Sequence, residues 1–303
     1  MPRRILQYAT LALVRRQSRA KVIFADHSAL ISRAVPTTKM LLELERLAAV
    51  STERDQTSFV QFDDCALHDA PSVAFGRAIG SASCVGLIPD TYFYESEGYS
   101  ETRVAAETGE LPKWAEREDT VFWRGSPTTN WFGSDGGKVT SVRDIPRVAM
   151  CDALKNDDRC DVGIFCGWGD RLSHEDMVAY FRSGGIFRPP IPMIQHARYK
   201  FLIDVDGVAN AWSLLDKLLL GSCVVKIRSP YEQWYYSRMK EWVHFVPVER
   251  DLSNLHEILD WCFTHDAEAR AIGAQGQQFA LSESFPKACE HARLALQECA
   301  LPL

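Results

Sequence analysis

Residues 200–226, Lys-Phe-Leu-Ile-Asp-Val-Asp-Gly-Val-Ala-Asn-Ala-Trp-Ser-Leu-Leu-Asp-Lys-Leu-Leu-Leu-Gly-Ser-Cys-Val-Val-Lys, constrain this chain more than any other segment. Phe201, Leu202, Ile203 and Val205 form an apolar run that stops at Asp206-Gly207, where glycine is expected to allow a path that a side chain would resist. An apolar stretch follows from Val208 to Leu220, with Leu214, Leu215, Leu218 and Leu219 at helical spacing. Gly221 is placed to cap it. Strand character resumes at Cys223. Strand, helix and strand joined by short loops form the unit of a parallel sheet with helices on its faces. Ligands of such sheets gather at the carboxyl ends of the strands, so the turn 206–210 is the first place to expect a phosphate-bearing ligand.

With 303 residues the chain has room for two domains. A formal net charge of −6 argues against a dedicated nucleic-acid binder, which needs a broad basic face. The nine cysteines include no Cys-x-x-Cys, so buried thiols in a reducing compartment are expected rather than a zinc site or disulfide framework. No run reaches the roughly 20 apolar residues of a membrane span. Residues 1–16 read as a basic amphipathic helix rather than a cleaved signal, because the apolar stretch ends in Arg15-Arg16. The helix is expected to pack on the surface. Its alternative role is peripheral membrane contact, with Arg3, Arg4, Arg15, Arg16 and Arg19 toward anionic headgroups.

The first third is mixed. Val22–Phe24 reads as a strand, 39–50 as an amphipathic helix, and the acidic 94–118 as loops and a surface helix. Regular alternation begins at Asp119, with strands at 119–125, 160–166, 200–205, 223–227 and 242–248 and a helix at 147–154. A helical stretch with breaks near Gly273 and Pro286 ends the chain. The expected domains are 1–118 and 119–303.

Three segments are candidates for one site. Trp123-Arg-Gly-Ser-Pro-Thr128 offers a guanidinium, a glycine and two hydroxyls at a strand end, which suits an anion. Arg147 sits at a helix start, where a cation opposes the dipole and is better explained by a ligand or by an ion pair with Asp144. In the turn 206–212, small residues allow close approach and Trp212 serves as a flat face or as core packing. Asp204 and Asp206 fall on one strand face, so a divalent ion holding a diphosphate is a second use of this turn. Residues 229–236 form an aromatic loop fit for stacking or packing. His174, His196 and His244 stand alone. No Walker loop, Gly-x-Ser-x-Gly or His-Glu-x-x-His is present.

Together these segments resemble glycosyltransferase family 90, which includes fungal capsule-associated proteins, animal protein O-glucosyl- and O-xylosyltransferases and bacterial lipopolysaccharide-modifying enzymes. The matching residues are Phe122-Trp-Arg-Gly-Ser126 with Thr128, Arg147, 199–207, 218–222, 229–231, 234–236, 242–248, 251–253 and 276–279, in family order. The resemblance implies an α/β, GT-B-like fold of two Rossmann-like domains, with a C-terminal helical segment packing back. It makes 1–118 the acceptor-side domain and 119–303 the domain that holds the nucleotide-sugar. It also implies a UDP-sugar donor, no cofactor or metal, and inversion at the anomeric carbon. Donor contacts fall on Arg124, Gly125, Ser126, Thr128, Arg147, Asp206, Gly207, Val208, Ala209, Asn210, Ala211 and Trp212.

This chain departs from the family at Ser213, where animal members carry an arginine, and at Gln233, where glutamate is frequent. The aspartate expected about ten residues after Pro89-Asp90 is Tyr99 here, so Glu97 is the expected base, with Glu95 and Asp90 as alternatives. The acceptor is expected to be a glycan or glycolipid of a bacterial surface, lipopolysaccharide or capsule. The absence of a secretory signal and of an ER-retention tail points to a cytoplasmic enzyme, peripheral on the inner membrane face if the basic helix engages lipid. Two alternatives stand beside this reading: a metal-dependent transferase using Asp204 and Asp206, and a non-catalytic nucleotide-sugar- or carbohydrate-binding relative.

Overall fold

The computed structural model describes residues 9–11, 20–26, 42–44, 56–61, 65–66, 71–81, 85–128, 141–165, 174–299 and 301–302. The chain divides into two compact units, one of 1–98, 231–237 and 283–303, the other of 99–230 and 238–282. The boundary therefore runs at 98/99 rather than at the expected 118/119. The last twenty-odd residues belong to the first unit because their helix supplies apolar cover for its sheet. Two units, each on a mostly parallel sheet, give the α/β, two-Rossmann-like composition that the resemblance implies.

In the first unit, strands β1 (Ala9–Leu11), β2 (Ala20–Asp26), β3 (Gln56–Gln61), β4 (Ser72–Ala74) and β6 (Val85–Leu87) lie in that order, with β13 (Leu301–Pro302) on β3. β2, β3, β4 and β6 are parallel to one another; β1 and β13 run antiparallel to their neighbours. β1 corrects the expected N-terminal helix at 9–11: Ala9, Thr10 and Leu11 register against Asp26, Ala25 and Phe24. Backbone pairing to an adjacent strand outweighs the weak helical spacing of so short a run. The arginines proposed to face lipid lie outside the described residues, as does most of the expected helix 39–50, of which 42–44 are helical. Helix α8 (Phe285–Glu298) lies on this sheet, where Gly86 leaves room for it: a Cβ there would stand 3.0 Å from Cys299 Sγ and 3.1 Å from the Ala295 Cβ. A separate two-stranded antiparallel sheet pairs β5 (Arg77–Ala78) with β11 (Tyr231–Glu232), reinforced by Arg77 Nε donating to Glu232 at 2.7 Å. The aromatic loop 229–236 is thereby mostly core: Trp234 and Tyr235 are buried, and Trp234 meets Phe93 edge-on.

The second unit is a five-stranded, all-parallel sheet in the order β12-β10-β9-β7-β8. Its strands are β7 (Glu118–Gly125), β8 (Cys160–Ile164), β9 (Tyr199–Asp204), β10 (Cys223–Ile227) and β12 (Val246–Val248). Counted along the chain, this order is 2-1-3-4-5, a doubly wound arrangement whose direction of winding reverses between β7 and β9.

Period-two alternation assigns the faces. Val121, Trp123, Phe201, Ile203 and Val225 join the larger core with helices α3 (Pro146–Leu154), α4 (His174–Ser183), α6 (Leu255–Thr264) and part of α7 (Asp266–Ser282). Phe122 and Leu202 face the other way, where Tyr199, off the alternation beside an irregularity in the β7–β9 pairing, joins them with Ala197 and Leu220. Phe122 and Tyr199 stack there at 4.2 Å. α7 passes through Gly273 without the expected break. The glycine is needed because a Cβ would stand 2.8 Å from the Gly221 carbonyl oxygen. The actual break comes before α8, where Ser284 caps and Pro286 occupies the first turn. Among the described residues, no helix is long and apolar enough to cross a membrane, and no disulfide joins the described cysteines.

Candidate active site

The strand order reverses between β7 and β9, and ligands of such sheets gather outside the carboxyl ends of the strands at that point. Arg147, in the first turn of α3 behind Pro146, reaches both ends. Its Nε donates to the Asp206 carbonyl at 3.0 Å, and Nη2 to the Val205 carbonyl at 3.3 Å. Nη1 donates to the Ser126 carbonyl at 3.1 Å and to Thr128 Oγ1 at 2.6 Å. These four acceptors are three main-chain carbonyls and one hydroxyl. Gly207 is required by this approach rather than by its own backbone angle: a Cβ would lie 2.7 Å from Thr128 Oγ1 and 2.9 Å from Arg147 Nη2. Gly125 has a similar reason, since the Trp123 indole stands where its Cβ would be. Gly125, Ser126, Thr128, Arg147, Asp206 and Gly207 are thus brought together.

Arg124 is not among them. It shares a face with Phe122, opposite to Trp123, and its guanidinium lies 4.7 Å above the Phe122 ring. It folds back along the sheet to Asp161 on β8, with Nη2 2.6 Å from Oδ1 and Nη1 2.9 Å from the main-chain carbonyl. Strand alternation and a carboxylate on the next strand explain this placement. Its neighbour His196 is buried edge-on to Phe122. Burial, aided by Lys217 and against the Ile191 carbonyl, pushes the His196 pKa down to about 4. His244 stacks on Phe279 and accepts from the Lys240 amide, so both are packing histidines. For His174 only the backbone is described.

The turn 206–213 is ordered from both sides. The Gly207 amide donates to the Ala209 carbonyl at 3.1 Å; Ala209, Asn210 and Ala211 are buried and Val208 half-buried. The Trp212 carbonyl accepts from the Tyr99 hydroxyl at 2.7 Å. Tyr99 follows Glu97 and Gly98 in a run of three left-handed residues (φ 50°, 77° and 59°), a conformation that two of them adopt only under outside constraint. Sequence reasoning misses this tie, because a single tyrosine carries no pattern. The helix after the turn, α5 (Leu214–Leu219), starts later than the expected 208. Its first turn carries Asp216, whose carboxyl burial pushes up to about 6 against a hydrogen bond from Thr102. This short helix start is therefore no ready cradle for phosphate.

Asp204 and Asp206 have separate partners. Asp204 is fully buried, with Oδ1 2.8 Å from Lys217 Nζ and Oδ2 3.0 Å from Lys226 Nζ. Burial alone would raise its pKa, but the two ammonium groups together hold it below the ordinary value. Asp206 Oδ2 accepts from Ser229 Oγ at 2.5 Å, and Ser229 in turn accepts from Asn210 Nδ2 at 3.4 Å. Burial holds the Asp206 carboxyl above its ordinary range, against Lys226 and the serine bond. A divalent ion does not fit Asp204, since both carboxylate oxygens already face a lysine. Among the described residues, no group of three or more His, Cys, Asp or Glu could hold a metal ion.

The expected bases lie in the first unit. Asp90 is buried and caps helix α1 (Thr91–Glu95), accepting from the Tyr92 and Phe93 amides at 2.9 and 3.1 Å, a structural use. Glu95 and Glu97 are exposed at the end of α1 and just beyond it.

Comparison with known proteins adds a family match: residues 99–285 fit the model described as glycosyl transferase family 90. Protein O-glucosyltransferase 1 of Bos taurus is 34% identical over 169 residues, covering 56% of this chain and 38% of that protein. The Homo sapiens protein of the same name is 34% identical over 166 residues, covering 55% and 37%. The uncharacterized protein 027R of Frog virus 3 is 31% identical over 192 residues, covering 57% and 19%. This chain thus spans less than two fifths of the length of these relatives. Among solved structures, Anabaena HepE in complex with UDP-glucose gives a TM-score of 0.41 at 11% identity, covering 63% of this chain and 50% of that one. A glycosyltransferase from Rickettsia africae gives 0.41 at 10% identity, covering 81% and 71%.

Proposed function

This chain belongs to glycosyltransferase family 90, and from that premise we propose that it transfers a sugar from a UDP-sugar to a hydroxyl of a glycan or glycolipid. The observation that carries the proposal is Arg147, whose guanidinium bridges the carboxyl ends of β7 and β9 where the strand order reverses. A cation there, beside a glycine that leaves the backbone accessible, suits a diphosphate leaving group. In the reaction the acceptor oxygen attacks the anomeric carbon. The bond from that carbon to the UDP oxygen breaks, and UDP leaves with the electron pair. The acceptor proton passes to a carboxylate, for which Glu97 is our candidate and Glu95 the alternative. The stereochemical course is inversion.

The second unit is the nucleotide-sugar side and the first unit the acceptor side. Metal independence belongs to the reading, because both carboxylate oxygens of Asp204 already face lysines and leave no place for a chelated ion. The acceptor we favour is a bacterial surface glycan, reached from the cytoplasmic side. Arg147→Ala is expected to weaken UDP binding at least tenfold by calorimetry, with Arg147→Lys intermediate because it keeps charge without the fork. Glu97→Gln is expected to bind UDP normally and to lose transfer by roughly 10²–10⁴-fold. Unchanged UDP affinity in a folded Arg147→Ala protein removes the proposal.

A further inference from the structure

Beyond the cation, the turn holds a second group of polar atoms with a different chemistry. Asp206 belongs to both. Its carbonyl faces Arg147, while its carboxylate faces Ser229 at the end of β10. The hydrogen-bond directions in this group are fixed. Asn210 donates its amide to Ser229, and Ser229 donates its hydroxyl hydrogen to Asp206 Oδ2. Two buried atoms are left with no partner, Asp206 Oδ1 and Asn210 Oδ1. Both are acceptors. Native proteins rarely leave such atoms unmatched, and each one costs free energy until a donor arrives.

The missing partner must therefore bring hydrogen-bond donors. A phosphate or carboxylate brings only lone pairs and negative charge, and a carboxylate repels both. Sugar hydroxyls bring donors without charge. The group lies next to Arg147, so a ligand whose diphosphate meets Arg147 has a sugar ring within reach of it.

We propose that Asp206, Ser229 and Asn210 form a hydroxyl-reading subsite that accepts hydrogen bonds from neighbouring hydroxyls on a ring of the nucleotide-sugar. The inference rests on the UDP-sugar reading above. The ring is the ribose or the transferred sugar, which share this chemistry. Ser229 is the orienting member: its bond to Oδ2 turns Oδ1 of Asp206 toward the ligand.

The test uses the full chain and calorimetry, with a thermal melt as a check on folding. Wild type is titrated with UDP, 2′-deoxy-UDP, 3′-deoxy-UDP, UDP-glucose and UDP-sugars lacking one glucose hydroxyl. Removing the hydroxyl that is read is expected to weaken binding about 10- to 100-fold, the value of a hydrogen bond to a charged group. A loss between UDP and its deoxy forms assigns the ribose; a loss confined to the deoxyglucose series assigns the transferred sugar. Asn210→Ala and Asp206→Ala are expected to abolish that preference, so that each variant binds the full and the deoxy ligand alike. Wild-type binding of UDP compounds with no preference among hydroxyls overturns the subsite and leaves the donor reading intact. So does a preference that both variants retain. Failure of wild type to bind any UDP compound removes the donor reading itself.

Discussion

Asp204 and Asp206 stand two residues apart, and the surroundings of one are the reverse of the other's. Inside the sheet, Asp204 has an ammonium on each oxygen and no exposure. At the carboxyl edge, Asp206 has one oxygen on Ser229 and the other unmatched. The interior has closed its electrostatics within the fold, whereas the edge has left acceptors for something to complete. The same contrast separates the two arginines. Arg124 is paired with Asp161 on one face, while Arg147 at the edge donates to three main-chain carbonyls and a hydroxyl.

The contrast can be broken first at Asp204. Asp204→Ala leaves two buried ammonium groups facing each other and is expected to destabilise the protein by about 3–5 kcal/mol, read by denaturant unfolding. A variant of wild-type stability that had lost UDP binding would move Asp204 from the interior class to the edge class.

The next largest effect concerns His196 on the same interior face. Its folded pKa of about 4 lies below the ordinary 6.5, so between these values the unfolded chain binds a proton that the native chain does not. Stability is therefore expected to fall as pH drops from about 6.5 to about 4 and then to level off. The contribution is roughly 3 kcal/mol by linkage. His196→Phe should remove that part of the slope; an unchanged acid limb would show that the site is not closed to protons.

The smallest effect is at Arg124. Its partner Asp161 is partly exposed, so Arg124→Ala is expected to cost about 1 kcal/mol. UDP affinity should stay at the wild-type level. A drop in affinity matching that of Arg147→Ala would join the two arginines into one site and sharpen where the phosphate lies.

Much of the site was legible because it is local. The strand, turn and strand between 199 and 227 follow from an apolar run, a glycine and a second run, and Arg147 stood out because a cation at a helix start asks for an explanation. The separation of Arg124 from Arg147 had a signal too: Val121 and Trp123 alternate with Phe122, and the parity that buries Trp123 against α3 turns residue 124 the other way. Other features depend on partners distant in sequence. The Tyr99 hydroxyl meets a carbonyl 113 residues away. Gly273 looked like a helix breaker because its reason for being glycine, the Gly221 carbonyl, belongs to another element. The boundary at 98/99 was hidden because α8 completes a sheet whose strands are encoded two hundred residues earlier.

That return of the chain has a consequence for biosynthesis. The first unit takes up β11 only at 231–232, and α8 and β13 only at 285–302. As the polypeptide leaves the ribosome, the unit begun first is completed last, with β4 and β6 waiting for a helix not yet translated. The second unit has all its strands once residue 248 has emerged. Vectorial synthesis therefore favours maturation from the middle outward, and a nascent chain halted before α8 exposes apolar surface that a chaperone can recognise.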